Sequence, residues 1–216
     1  MVAASSKGLG RAVAESLARE GYMTDFHTQF DCANNPAIPR ALRDYAEQHL
    51  LPILLGVVFK STGGQPLTQA PMKGPYSEND FRRSAAFYGI PYNAPSVFPI
   101  AGQNPSRAVL WMQKHHPAHA KKFTLELYRA FFRGDRDISK LDVVGDIATG
   151  LGYSADEVIA ATQTDEIKNQ LKAEVEAAIA RGVFGSPFFI VDGEPFWGAD
   201  RLPMLEQWLK RGGWKY

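Results

Sequence analysis

The chain has 216 residues, enough for one domain or for one domain with an insertion. Hydrophobic residues make up 45% of it and charged residues 22%, as in an ordinary folded domain. The 24 basic residues nearly balance the 23 acidic ones, which excludes the basic surface that nucleic-acid binding requires. No apolar run reaches the roughly 20 residues of a membrane-spanning helix.

Cys32 is the one cysteine in the sequence, so a disulfide within the chain and a Cys-x-x-Cys redox pair are both excluded. The histidines form no metal-binding pattern. His115 and His119 are four residues apart, but Pro117 breaks the helix that would align them. We therefore expect no bound metal, and we interpret Cys32 as a buried or incidental thiol.

The first residues, VAASSKGLGRAVAESLAREG at positions 2–21, resemble the cofactor loop and first helix of short-chain dehydrogenases. Gly8 and Gly10 match glycines of that loop, but we expect no strand before it, and no Tyr-x-x-x-Lys pair follows in this sequence. Basic residues interrupt the apolar stretch, so it is not a secretory signal, and we expect a cytoplasmic location. Residues 1–22 are predicted to form an extra helical segment.

A strand-helix-strand unit is predicted next. Polar and apolar residues alternate over residues 24–30, which is typical of a half-buried strand. Asn34 and Asn35 then supply helix-capping side chains, and Pro36 suits a first helical turn. The almost wholly apolar run at residues 53–59 predicts a central strand covered on both faces.

Helical patterns dominate the middle of the chain, after a loop rich in glycine and proline at residues 61–76. A capping box, Ser154-x-x-Glu157, begins one helix, and Gly182 ends the last. Asn104 and Pro105 are predicted to cap another. The predicted helices cover residues 80–88, 104–115, 118–133, 139–150, the segment after Ser154, and 164–181.

Strand character returns near the end of the chain. Residues 188–191 and 194–197 predict two strands joined by a hairpin turn at Asp192-Gly193, with a helix following at 202–209. This order is that of a thioredoxin-like α/β fold with an all-helical insertion. It divides the chain into a thioredoxin-like domain (23–75 and 183–216) and a helical insertion domain (76–182).

Two motifs near this hairpin point to ligand binding. In VFGSPFF, Pro187 stands where thioredoxin-like proteins hold a cis peptide bond, which turns the backbone of Ser186 outward to pair with a peptide-like ligand. A trans proline that only begins an edge strand is the alternative. In FWGADRL, Gly198 and Asp200 precede a helix whose N-terminus favours a carboxylate, while Asp200 can hold an ammonium or act only as an N-cap.

The sequence VFGSPFFIVDGEPFWGADRLPMLEQWL resembles the C-terminal part of 2-hydroxychromene-2-carboxylate isomerases and of kappa-class glutathione transferases. The stretches LLGVVFKSTGGQP, MKGPY and VFPI occur in the order of that family. The similarity spans about residues 50–210. It implies a DsbA-like thioredoxin fold and a glutathione site.

The resemblance also implies roles for individual residues. Lys73 matches a lysine that reaches the glycine carboxylate of glutathione, and Ser186 matches the residue whose backbone pairs with the cysteinyl part. Ala199 and Asp200 match a Ser-Asp pair that holds the γ-glutamyl end, so one hydroxyl donor is missing. Gly64 replaces an asparagine of the kappa-class pattern.

The largest departure lies at the first helix, where the family has Phe-Asp-x-x-Ser-Pro and its serine steadies the thiolate. If the motif is aligned on Asp31, Asn34 occupies the serine position. If it is aligned on Pro36, Asn35 occupies that position instead. The choice between these two asparagines stays open. An asparagine amide can still donate a hydrogen bond to a thiolate.

The resemblance implies a homodimeric, glutathione-dependent isomerase that acts on a small aromatic-derived substrate. A kappa-class transferase and a glutathione-binding protein with little catalysis are the alternatives. The substrate pocket is expected around Asn104, Arg107 and Trp197. The aromatic residues Tyr88, Tyr92, Phe98 and Trp111 suit its walls, although aromatics at helical spacing usually form plain core.

Overall fold

The computed structural model describes residues 51–87, 90–191, 193–198, 201, 204, 207–208 and 211–214, and in that part of the chain seven helices precede a two-stranded sheet. The predicted segment 1–22, the strand at 24–30 and the helix after it lie outside the described residues. The helices are α1 (Leu55–Thr62), α2 (Lys73–Phe87), α3 (Gln103–His115), α4 (Pro117–Phe132), α5 (Leu141–Gly150), α6 (Ala155–Gln163) and α7 (Asp165–Ala180), and the strands are β1 (Phe188–Val191) and β2 (Glu194–Trp197).

Helix α1 occupies the apolar run that predicts a strand, so that prediction is wrong. Leu55 and Val58 are buried while the residues between them are exposed, which is the helical period and not the alternation of a strand. Gly63, in the left-handed region at φ 70°, ends the helix, and the Gly64 N–H also donates to the Phe59 carbonyl.

Helix α2 begins at Lys73, seven residues before its predicted start, and the loop before it is correspondingly shorter. Its first turn is closely packed, because a Cβ on Gly74 would lie 2.5 Å from the Thr68 carbonyl oxygen. The helix buries Phe81 and Ala85 on one face. A 3₁₀ turn (Leu67–Gln69) precedes it.

The other helix boundaries agree with the sequence to within about two residues, the usual uncertainty of helix ends. Ser154 accepts a hydrogen bond from the Glu157 N–H, as the capping box predicts, and Thr164 caps α7 in the same way. Asn104 does not cap α3. The N-cap is Gly102, and Asn104 is already inside the helix.

Two hydrophobic cores lie on either side of helix α3. The larger core fills the space among α3, α4, α5 and α6 and contains Val109, Phe123 and Leu127. The smaller core joins α1 and α7 to α3 and consists of Ile53, Leu55, Val58, Leu110, Leu171 and Val175. Burial of these apolar side chains is the main stabilising contribution.

The chain then enters an antiparallel hairpin, as predicted. Phe188 pairs with Trp197 and Val191 with Glu194, and Gly193 in the turn has a φ of 84°. The described residues of the predicted last helix, Met204, Gln207 and Trp208, are helical.

Helices α5 and α6 approach closely at Gly145. A Cβ at this position would lie 2.9 Å from the Ile159 Cδ1 and 3.0 Å from the Ala155 Cβ. Gly145→Ala is therefore expected to lower the free energy of unfolding by about 1–3 kcal/mol, despite the better helix propensity of alanine. Chemical denaturation measures this change.

Gly150, in the same helix, provides the matched control, because a Cβ there would meet no atom within 4 Å. Gly150→Ala is expected to leave the free energy of unfolding unchanged or to raise it by up to about 1 kcal/mol. Equal effects of the two substitutions would contradict close packing at Gly145.

Candidate functional site

The segment between helix α7 and strand β1 carries the first predicted ligand contacts. Gly182, at φ 80°, turns the chain out of α7, and the Val183 N–H donates to the Ala178 carbonyl at 3.0 Å. The Ser186–Pro187 peptide bond is cis, which confirms the sequence prediction. A second cis bond precedes Pro99.

Ser186 is almost fully buried, with 1% of its surface exposed, and its hydroxyl oxygen has no hydrogen-bond partner. Its backbone N–H and carbonyl take no part in the backbone hydrogen bonds between described residues. Within the described part of the chain, the backbone polar groups of Ser186 are therefore left without a backbone partner, although buried polar groups are usually paired.

Gly198 lies beside this segment, because its N–H donates to the Pro187 carbonyl at 3.0 Å. Its φ of 102° is in the region that favours glycine. The structure thus brings together three of the predicted residues, Ser186, Pro187 and Gly198.

Trp197 forms an aromatic wall next to these residues. Its indole lies edge-to-face on Phe184, with the ring centroids 4.9 Å apart, and Phe184 contacts Phe188 at 5.1 Å. A Cβ on Gly185 would lie 2.3 Å from the Trp197 Nε1, so the indole rests directly on the glycine backbone. Trp197 remains 44% exposed and can contact a ligand.

Lys73 is the first residue of α2, and its side chain is exposed. Met72, immediately before it, is 90% exposed and has a φ of 61°, a backbone conformation that residues other than glycine rarely adopt. The ion pairs in the described part of the chain do not include Lys73. Its ammonium group is available to an anionic ligand.

Asn104 and Arg107 lie one turn apart on α3. The Asn104 side-chain amide donates to the Ser139 carbonyl at 2.8 Å and so ties α3 to the segment before α5. Arg107 is half-buried, its Nε has no hydrogen-bond partner, and no ion pair between described residues includes it. A half-buried guanidinium without a counter-charge suits an anionic ligand.

Other predicted site residues lie outside the described part of the chain. These are Asn34, Asn35, Ala199 and Asp200, together with Cys32 and Tyr88. Gly64, at the end of α1, is exposed.

A cavity of about 270 Å³, which was not predicted from the sequence, lies between α2, the loop at residues 91–98 and the end of α4. Its aromatic walls are Phe81, Tyr92, Phe98 and Phe132. Two of these, Tyr92 and Phe98, are among the aromatic residues predicted to line a substrate pocket. The available signal was the run of aromatics that follows α2, but their convergence with Phe132 depends on the tertiary packing.

Trp111 does not line this cavity and instead stacks on His115, with the ring centroids 5.0 Å apart. It belongs to the larger core, as the alternative of plain core packing predicts. At the cavity, burial is the main cause that raises the pKa of Tyr92. The positive charge of Arg82 opposes this change and the negative charge of Glu78 adds to it.

Among the described residues, no group of three or more His, Cys, Asp or Glu side chains is arranged to hold a metal ion. No helix among these residues combines the length and the apolar character needed to cross a membrane.

Comparisons with known proteins agree with this architecture. The family model of the DSBA-like thioredoxin domain matches residues 25–210. Human glutathione S-transferase kappa 1 is 28% identical over 177 residues, which cover 74% of this chain and 78% of the transferase. The 2-hydroxychromene-2-carboxylate isomerase of Sphingobium xenophagum is 29% identical over 130 residues, 60% of this chain and 65% of the isomerase.

A solved structure of 2-hydroxychromene-2-carboxylate isomerase superimposes with a TM-score of 0.67 at 23% identity, over 74% of this chain and 78% of the isomerase chain. This likeness confirms the predicted thioredoxin-like fold with a helical insertion. On the family model, which matches most of its length, the chain belongs to the DSBA-like thioredoxin domain family.

Proposed function

We propose that this protein is a glutathione-dependent enzyme of the 2-hydroxychromene-2-carboxylate isomerase type. The observation that carries the proposal is the buried Ser186–Pro187 segment, whose cis bond and unused backbone groups lie beside Gly198. The relatives include a 2-hydroxychromene-2-carboxylate isomerase and kappa-class glutathione transferases, which supports an enzyme that uses glutathione.

Three contacts would hold glutathione. The Ser186 backbone pairs with the cysteinyl residue, the exposed Lys73 ammonium binds the glycine carboxylate, and Asp200 binds the γ-glutamyl ammonium. Ala199 offers no hydroxyl, so the γ-glutamyl end has one contact fewer than in the family pattern.

Glutathione supplies the nucleophilic thiolate of the reaction. The chain contributes a hydrogen-bond donor to that sulfur, from Asn34 or Asn35, and this donor lowers the pKa of the bound thiol. Arg107 attracts the carboxylate of an aromatic acid, and Trp197 covers one face of the site. Holding both reactants in one orientation supplies much of the rate acceleration.

A kappa-class transferase is the nearest alternative, because it requires the same glutathione contacts and a different second substrate. A glutathione-binding protein with little catalysis is favoured by one observation, the asparagines that replace the family's serine. Turnover of 2-hydroxychromene-2-carboxylate and of 1-chloro-2,4-dinitrobenzene, followed by absorbance, distinguishes the three functions.

Calorimetric titration of glutathione tests the proposed site. The intact protein is expected to bind saturably, and Lys73→Met and Asp200→Ala are each expected to weaken binding by about 5- to 150-fold, because each leaves a charged group of the ligand unpaired. Lys60→Met, at an exposed lysine of α1, is the control and should bind as the wild type does. Absence of heat at millimolar glutathione would contradict the proposal.

Ser186→Ala separates a backbone role from a side-chain role. Because the buried hydroxyl has no partner, its removal should leave the free energy of unfolding unchanged or raise it by up to about 1 kcal/mol. Glutathione affinity should stay within about twofold of the wild type, since the backbone makes the contact.

Ser77→Ala is the matched control for that substitution, because the buried Ser77 hydroxyl donates to the Gly74 carbonyl at 2.8 Å. Its loss should cost about 1 kcal/mol of stability in the same denaturation assay. A tenfold loss of glutathione affinity in Ser186→Ala would show that the hydroxyl itself binds the ligand.

Arg107→Met tests whether Arg107 is kept for binding and not for stability. The substitution removes a half-buried charge without a counter-charge, so the urea midpoint should not fall. The kcat/KM for 2-hydroxychromene-2-carboxylate should fall about tenfold or more, because the carboxylate loses a charged partner. In the control, Arg129→Met removes the ion pair with Glu126 and should leave kcat/KM unchanged.

A further inference from the structure

The turn that leads into helix α2 contains a residue in a strained backbone conformation. Met72 has a φ of 61°, in the left-handed region where the Cβ of an ordinary residue crowds its own backbone. The Lys73 N–H donates to the Pro71 carbonyl at 2.6 Å, so the three residues form a γ-turn of the rare form with positive φ. Strained residues of this kind cluster at functional sites, because the surrounding structure has to hold them in place.

The Met72 side chain does not hold this conformation. It is 90% exposed, so it gains little from packing. Among the described residues, Asp135 is the other residue besides glycine with a positive φ, and its carboxylate accepts a hydrogen bond from the Ser96 N–H. The nearly fully exposed Met72 side chain provides no such anchor. The conformation is therefore imposed by the backbone on either side of Met72.

That backbone is anchored on both sides of the turn. The Ala70 N–H donates to the Leu67 carbonyl at 3.0 Å, and the Gly74 N–H donates to the Ala70 carbonyl at 2.8 Å. Gly74 is buried, and a Cβ there would lie 2.5 Å from the Thr68 carbonyl oxygen, so the two backbones are in tight contact. The Gly74 carbonyl also accepts a hydrogen bond from the buried Ser77 hydroxyl at 2.8 Å. The strained residue thus lies at the bend between two fixed segments.

The turn also decides which group can meet an anion at this end of α2. Backbone N–H groups at a helix N-terminus usually attract anions. Here the N–H groups of Lys73 and Gly74 are bonded to the carbonyls of Pro71 and Ala70, and Pro75 has no N–H. The first three residues of α2 therefore leave no backbone donor for a ligand. The exposed Lys73 ammonium is the cationic group that remains among these three residues.

We propose that Met72 is a positioning residue, whose left-handed turn sets the direction in which the Lys73 side chain leaves the backbone, toward the glycine carboxylate of glutathione. The ligand assigned to Lys73 rests on the proposed function. A lysine has a long flexible stem, so a fixed direction at its Cα limits the positions that the ammonium explores. Less conformational freedom is then lost when the carboxylate binds.

Substitutions at position 72 measure the strain without any ligand. Glycine adopts a positive φ without a clash, whereas alanine keeps the clash and removes the exposed side chain. The urea midpoint of Met72→Gly should therefore lie above that of Met72→Ala. Val97 is the matched control, since it is 55% exposed and its φ is not positive. There the order should reverse, with Val97→Ala more stable than Val97→Gly.

The direction of Lys73 is measured by NMR on the full chain without glutathione. The residual dipolar coupling of the Lys73 Cα–Hα bond reports its angle relative to the rest of α2. This coupling should be unchanged in Met72→Gly and Met72→Ala. It should change in Met72→Pro, because the proline ring fixes a negative φ. Where Met72→Pro does not fold, Met72→Val serves the same purpose, since a β-branched residue strongly disfavours a positive φ.

Glutathione titration then shows whether the turn acts through Lys73. Met72→Gly and Met72→Ala should bind within about twofold of the wild type, and Met72→Pro should bind about fivefold or more weakly. In the Lys73→Met background, Met72→Pro should weaken binding by less than about twofold further. Such non-additivity is expected when one residue acts through the other.

Three outcomes would overturn the role of Met72. These are a Met72→Gly variant no more stable than Met72→Ala, an unchanged Lys73 coupling in folded Met72→Pro, and an equal loss of glutathione affinity from Met72→Pro with and without the Lys73 ammonium. Absence of glutathione binding in every variant, including the wild type, would overturn the ligand and the proposed function together. The urea midpoints and the dipolar couplings would then decide the role of the turn by themselves.

Discussion

Burial of helix α3 on nearly all sides is the constraint on which the described structure depends. Seven of its residues, from Pro105 to Met112, are buried, and it lies against α4, α5, α6 and α7. The buried segment is mainly apolar around the helix, and an apolar segment of this kind must lie inside the protein. Through Leu110 it contributes to the smaller core, and through Val109 and Met112 to the larger one, so a shift of α3 disturbs both. Arg107 is the one charged residue within this buried segment of α3, and it remains half-buried.

The candidate glutathione segment is fixed at both ends. Val183 packs against the smaller core, and the Gly198 N–H bond to Pro187 fixes the other end to the hairpin. Between these points the chain buries Ser186 without using its polar groups. Unsatisfied polar groups are unfavourable in a stable core, and their presence in an anchored segment is typical of a binding site.

Features encoded by local side chains could be predicted from the sequence. Ser154 and Thr164 cap their helices, Gly182 ends α7, and the Asp-Gly pair marks the hairpin, because each acts on its neighbours in the chain.

The run at residues 53–59 is apolar throughout, so its sequence has no hydrophobic period that would distinguish a helix from a strand. This run is helical because, as a helix, its buried side chains pack on α7 and α3. The cavity depends on the approach of Phe132 to Tyr92 and Phe98, which lie 40 and 34 positions earlier in the chain, and no local pattern records this approach. The two-domain division, the homodimer and the asparagine at the thiolate remain predictions.

The contact between Trp197 and Gly185 makes these two positions behave as one. The indole nitrogen occupies the space that any larger residue at 185 would need, and the indole is also the partner of Phe184. Across relatives of this chain, a side chain can appear at position 185 only where position 197 has become smaller or has turned away. The shape of the wall beside Ser186 is then inherited as a pair of residues and changes by double replacement.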